Sequence, residues 1–206
     1  MAMEQIAFFV YNRIGCLFTK LDEKKVIFAS EAREELKGNL KAVYEKMPGD
    51  YDKVIHIKGD RRDSKGCKDT LRLWRDLTTA KYILLDDFYG LISTIKVRKG
   101  QEIVQLWHGS GAFKKFGFSR VGTGDNISNV HTGYRKYTKA SVTAEPIREC
   151  FAEAFDIDLK KVQAVGSPRT DMFSDEKAKE EARERVYEAY PQLKEKKVVL
   201  IAPTYR

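Results

Sequence analysis

The chain has 206 residues, of which 42% are hydrophobic, 33% charged and 11% aromatic, a balance that supports a buried core and excludes wholesale disorder. Its 38 Lys+Arg against 30 Asp+Glu leave a formal net charge of +8, which suits phosphate-bearing partners such as nucleotides, nucleic acid or an anionic membrane surface. Three cysteines without a C-x-x-C pair argue against a disulfide framework and a cysteine zinc site, so no metal or cofactor is expected and the compartment reads as reducing.

The first apolar stretch, Ile6 to Phe18, is interrupted by Asn12, Arg13 and Gly15. It is too short to span a bilayer, and no basic run precedes it as in a secretory signal. Residues 1–24 therefore read as a segment that either packs on the core or lies on a membrane surface. Beyond it, short apolar runs alternate with helical patterns, which predicts an α/β fold: a parallel sheet covered by helices on both faces. The predicted strands are 26–28, 54–57, 82–85, 103–107, 140–143, 162–165 and 198–201. Helices are predicted over 39–47, 68–79, 146–155 and 174–189, the third opened by Pro146 and the last charged enough to read as a solvated face. The apolar run 198–201 is followed at once by the last residues, Ala202-Pro203-Thr204-Tyr205-Arg206. Residues 25–195 are thus expected to form one domain, and 196–206 the first strand of a second, truncated one.

The most informative stretch runs from Gln105 to Gly117. An apolar strand delivers His108 at its C-terminal edge, Gly109-Ser110-Gly111 lets backbone approach a ligand, and Lys114 and Lys115 follow within two expected helical turns. A neutral imidazole takes a proton from a hydroxyl near neutrality, and backbone N–H groups with two lysines hold phosphate oxygens. The pattern suits phosphoryl transfer; the plainer alternative is a histidine bonded to a neighbouring loop. Between Lys96 and Lys139 nine basic residues face only Glu102 and Asp125, so most of the net charge surrounds this motif. The interleaved Phe113, Phe116, Phe118, Tyr134 and Tyr137 read as stacking platforms, insertion points or ordinary packing. His56, inside an apolar strand, is expected to be a bonded core residue, and His131 lies in a polar loop. Gly166-Ser167-Pro168-Arg169-Thr170-Asp171 follows a strand, with Arg169 and Asp171 expected either to bond each other or to stitch a domain interface.

Trp107-His108-Gly109, the Gly166 to Asp171 run and Ala202 to Arg206, with Phe28-Ala29-Ser30 and Gly38 to Tyr44 ahead of them, together resemble the CDP-glycerol glycerophosphotransferase family of teichoic-acid primases and polymerases. One departure is that Ser110, Gly111 and Ala112 stand where the family usually has Thr-Pro-Leu. The resemblance implies a GT-B architecture of two Rossmann-like domains with this chain as the acceptor half, and a second catalytic histidine beyond Arg206. It implies that His108 is the general base activating a hydroxyl of a lipid-linked glycerol-phosphate acceptor, with Gly109, Ser110, Lys114 and Lys115 at the acceptor phosphates. Arg169, Asp171, Thr204 and Arg206 would line the cleft or the domain interface. The donor would be CDP-glycerol, releasing CMP, and the setting the cytoplasmic membrane face with an anionic surface and no nucleic acid as partner. The alternatives are a CDP-ribitol donor or a GT-B glycosyltransferase using a nucleotide sugar; the 206-residue fragment alone is expected to be inactive.

Overall fold

Apolar runs that are buried on both faces belong to parallel sheets, where helices cover each side. Here β1 (Asp22–Ser30), β2 (Asp52–Ile57), β3 (Ala80–Leu85), β4 (Glu102–Gln105), β5 (Lys139–Val142) and β6 (Val162–Ala164) form one six-stranded parallel sheet, ordered β2-β1-β3-β4-β5-β6. The computed structural model describes residues 3–57, 66–121 and 132–203; His131, Thr204 and Arg206 lie outside them. Helices α1 (Met3–Phe18), α2 (Gly38–Lys46), α3 (Cys67–Thr79) and α4 (Arg148–Phe155) accompany the sheet. Along β1 the pleat sends Ile27 and Ala29 into one core, with Phe8 of α1, Leu77 of α3 and Phe155 of α4. Val26 and Phe28 go into the other, with Leu40 of α2. The expected helices on both faces are therefore present.

Between β1 and β3 the chain detours to the edge strand β2, leaving through α2 and returning through α3 on the opposite face. This is a switch point in strand order, and sheets of this kind open a crevice outside the C-terminal ends of the strands there.

The N-terminal segment is a helix with two different sides. Phe8 is fully buried, with its ring 5.9 Å from that of Trp74. Asn12, one of the residues that interrupts the apolar stretch, is a buried anchor: Nδ2 donates to Thr78 Oγ1 at 3.1 Å and Oδ1 accepts the Lys96 N–H at 2.8 Å. On the other side Met3, Ile6, Val10, Ile14, Leu17 and Phe18 are exposed.

Charge is also buried beneath this layer. Asp76 of α3 accepts from Lys25 Nζ of β1 at 3.2 Å and lies 3.0 Å from Nε2 of His56 on β2, with all three side chains less than 15% exposed. His56 is thus the bonded interior histidine its strand pattern predicted. Burial alone would push the Asp76 carboxyl up, but the hydrogen bonds and charges of His56 and Lys25 outweigh it and hold the group below its ordinary 3.8.

Residues Met1–Arg169 form one compact unit and Thr170–Arg206 a second. In the second, α5 (Glu176–Ala189) is capped by Asp175, whose side chain accepts the Ala178 N–H at 3.1 Å, and carries pairs such as Lys179–Glu176 at 2.6 Å. It buries no residue, as a solvated face should. The seventh predicted strand does not form: Val198 to Ile201 adopt no regular structure and are exposed by 58 to 85%. An apolar run needs a hydrogen-bonded neighbour to become a strand, and none pairs with it among the described residues.

Candidate active site

The end of β4 carries the site because its backbone turns abruptly. Trp107 sits at φ +52°, left-handed geometry that costs an L-residue about 1–2 kcal/mol. Several contacts offset it. The Trp107 ring stacks on Phe116 at 4.6 Å and meets Phe155 edge-on at 5.4 Å. The Trp107 backbone N–H donates to Gln105 Oε1 at 2.8 Å, and Gln105 Nε2 donates to the Asp87 carbonyl at 3.0 Å, tying the ends of β4 and β3 together. Nearby, Gly117 at φ +54° passes so close to α4 that an added Cβ would lie 2.1 Å from the Ala154 carbonyl oxygen, so the return of Phe116 to the Trp107 ring requires glycine there.

This turn sets His108 at the C-terminal edge with 43% of its side chain exposed. Its ring stacks on Trp107 at 4.5 Å. Nδ1 lies 3.3 Å from the Asp86 carbonyl and 3.7 Å from Asp87 Oδ2. An Nδ1–H that donates to that carbonyl leaves the lone pair on Nε2, the arrangement of a general base. Asp86 is itself buried, and its Oδ2 accepts from Arg33 Nε at 3.1 Å, which binds the loop after β1 to the end of β3. Burial first, and the Asp87 charge second, push the Tyr134 phenol up, so it stays protonated at neutral pH beside this carboxylate.

Arg169 lies against His108. Its Nη2 donates to the His108 carbonyl at 2.6 Å and its backbone N–H to Asn39 Oδ1 at 3.0 Å, because the loop after β6 runs along the same sheet edge as the loop after β4. It thereby belongs with His108 in the first unit.

Lys114 and Lys115 lie on a loop rather than on helical turns. No helix follows Gly109-Ser110-Gly111; residues 108–116 run as a loop to a single 3₁₀ turn at Gly117–Arg120. Two glycines disfavour a helix there, and the stacking of Phe116 on Trp107 draws the loop back toward the core. The helical turns expected to carry the lysines are therefore absent, and both lysines are exposed side chains on the loop. Ser110 is held through its carbonyl, which accepts from Thr143 Oγ1 at 2.5 Å.

Asn39, Asp86, Asp87, Arg33 and Gln105 are site residues beyond those expected from the sequence. Asp86 and Asp87 carried a readable signal, since they directly follow a buried strand at its ligand-bearing end. Asn39, 3% exposed in the first turn of α2, is indistinguishable in sequence from an ordinary helix-start residue.

The chain is similar in sequence and fold to several known proteins. The teichoic acid poly(ribitol-phosphate) polymerase of Bacillus spizizenii strain W23 is 42% identical over 189 residues, covering 90% of this chain and 30% of that polymerase. The teichoic acid glycerol-phosphate primase of Bacillus subtilis strain 168 is 28% identical over 131 residues, covering 62% of this chain and 33% of the primase. The structure of the wall teichoic acid polymerase TagF superposes with a TM-score of 0.68 at 15% identity, covering 90% of this chain and 47% of that one, which shows a shared fold. This chain spans about a third of the length of the curated relatives it matches. The sequence model for CDP-glycerol:poly(glycerophosphate) glycerophosphotransferases matches residues 10–206, nearly the whole chain, and the protein belongs to that family of teichoic acid primases and polymerases.

Proposed function

We propose that the chain is the acceptor-side part of a GT-B CDP-alditol phosphotransferase of teichoic acid synthesis, with residues 25–195 as the acceptor domain and 196–206 leading into the donor domain. The observation that carries this reading is the pose of His108: an exposed imidazole at the sheet's C-terminal edge, with Nδ1 against the Asp86 carbonyl. In the proposed step the terminal hydroxyl of a lipid-linked alditol-phosphate chain gives its proton to His108 Nε2. Its oxygen bonds to the alditol-bearing phosphorus of the donor, and the phosphorus–oxygen bond to CMP breaks, CMP leaving with the electron pair. Gly109, Ser110, Lys114 and Lys115 line the approach of the acceptor phosphates. Arg169 orders the His108 peptide, while Asp171, Thr204 and Arg206 are assigned to the cleft or domain interface.

Ribitol rather than glycerol is the better supported alditol. The ribitol-phosphate polymerases among the relatives are 39 to 42% identical to this chain, against 28 to 29% for the glycerol-phosphate primases. CMP release by the full-length enzyme, measured with CDP-ribitol and CDP-glycerol in parallel on a lipid-linked acceptor, is expected to be faster with the ribitol donor. Faster turnover of CDP-glycerol would reverse the choice. Sugar transfer from a nucleotide sugar, with no CMP released from either, would point to a glycosyltransferase instead.

The surface of α1 supports an anionic membrane as the setting in which the lipid-linked acceptor is met, and the cytoplasmic face is the side proposed for it. Among the described residues no helix is long and apolar enough to cross a membrane. However, the exposed Ile6, Val10 and Ile14 form one stripe on α1, and Lys68, Arg72 and Arg75 are exposed along the adjoining α3. Apolar insertion flanked by cations is the physics of interfacial binding. Ile14→Glu, at a 53% exposed position, is expected to weaken co-sedimentation with anionic vesicles by at least about tenfold. Binding unchanged by this substitution would remove the membrane from the proposal.

A further inference from the structure

The left-handed turn at Trp107 is held from outside its own loop. Asn39 Nδ2 donates to the Leu106 carbonyl at 3.2 Å and to the Trp107 carbonyl at 2.7 Å. Its Oδ1 accepts from Ser167 Oγ at 2.9 Å and from the Arg169 N–H at 3.0 Å. All four hydrogen-bonding positions of the carboxamide are filled, and because two partners are carbonyls and one is a backbone N–H, only this orientation of the amide satisfies them. One side chain, 3% exposed, thus joins three loops at the C-terminal edge: those after β1, β4 and β6. Gly38, at φ +61°, turns the chain into α2 immediately before it.

We propose that Asn39 is a positioning residue for His108. It fixes the peptides on both sides of Trp107, which aims the His108 ring at the Asp86 carbonyl, and it docks the loop from which Arg169 grips the His108 carbonyl. The inference rests on the reading of His108 as the base. Few side chains can substitute. Aspartate is isosteric but has no donors, and it would press an oxygen against two carbonyl oxygens. Glutamine is one methylene too long for a site closed on four sides.

The test uses the full-length enzyme, with Asn39→Asp and Asn39→Ser compared with Ser167→Ala, which removes one donor to Asn39 and leaves both carbonyls of the turn bound. Two readouts separate positioning from mere stability: the split between kcat and KM for CMP release, and the ¹⁵N spectrum of the His108 imidazole. Asn39→Asp is expected to lower kcat by about 10- to 10²-fold, the scale of a small misplacement of a reacting group, with little change in donor KM. The His108 signal is expected to pass from the Nδ1–H tautomer to a mixture, while Ser167→Ala keeps the parental tautomer. Asn39→Ser, which introduces no charge, is expected to show the same pattern, and it gives the reading if the aspartate variant does not fold. A folded Asn39 variant with parental kcat and parental tautomer overturns the proposal. If instead His108→Ala keeps full turnover, the base assignment fails by itself, and the tautomer still reports whether Asn39 holds the ring.

Discussion

Replacing His108 by alanine in the full-length enzyme is expected to lower the rate of CMP release by about 10²–10⁴-fold, the usual contribution of a positioned general base, while leaving thermal stability near that of the parent. Both halves of this expectation follow from the site. The imidazole is 43% exposed, so its loss opens no cavity in the core. The hydrogen bond from Arg169 goes to the His108 backbone carbonyl and survives the substitution. What disappears is the imidazole that sits at the C-terminal edge of the central strands with Nδ1 against the Asp86 carbonyl. His56→Ala provides the contrast, since that ring bonds Asp76 and its loss is expected to reduce stability rather than the chemical step. Equal turnover in the parent and a folded His108→Ala variant would strip His108 of its role.

Asp76→Ala is expected to destabilise the protein by about 3 kcal/mol or more, the scale seen when one partner of a buried ion pair is removed. That is a large share of the roughly 5–15 kcal/mol that holds a domain together. The reason is what remains behind: the Lys25 ammonium, 14% exposed, without a counter-ion, and the His56 ring without its partner. The salt bridge need not be strongly stabilising for this to hold, because the cost comes from the uncompensated charge.

The pH dependence has a definite sign. The folded-state carboxyl is held below its ordinary 3.8, so its contribution is fully present above that value and is lost as the pH falls through the folded-state value. In urea unfolding, Asp76→Asn is therefore expected to trail the parent at neutral pH, with the gap narrowing as the pH is taken below 3.8. A gap independent of pH would show that the carboxylate's charge is not what matters.

Much of this protein is written in local patterns. The runs Val54 to Ile57 and Tyr82 to Leu85 became strands because a four-residue apolar run bounded by polar residues has few other ways to bury both faces, and the amphipathic spacing of 68–79 became α3 for the corresponding helical reason. The position of His108 at the end of a strand, and the bonded state of His56, were legible on the same grounds. The motifs also sufficed to identify the family, because they recur in order along the chain.

Long-range contacts decided the rest. The apolar stripe of α1 is visible in sequence, but that Asn12 turns inward to bond Thr78, 66 residues away, depends on the helix facing α3. Val198 to Ile201 has the composition of a strand, yet strand formation needs a neighbour's hydrogen bonds. Lys114 and Lys115 suggested a helix after the glycine turn, and a single aromatic contact, Phe116 on Trp107, drew the loop elsewhere. The pairing of Arg169 with His108 spans 61 residues, and that of Asn39 with Trp107 spans 68. Residue type and spacing determined that this is an α/β protein with a histidine at a strand end. Which nitrogen of that histidine is free, and which side chains hold it there, was decided by loops that meet only when the parallel sheet brings the C-terminal ends of β1, β3, β4 and β6 to one edge.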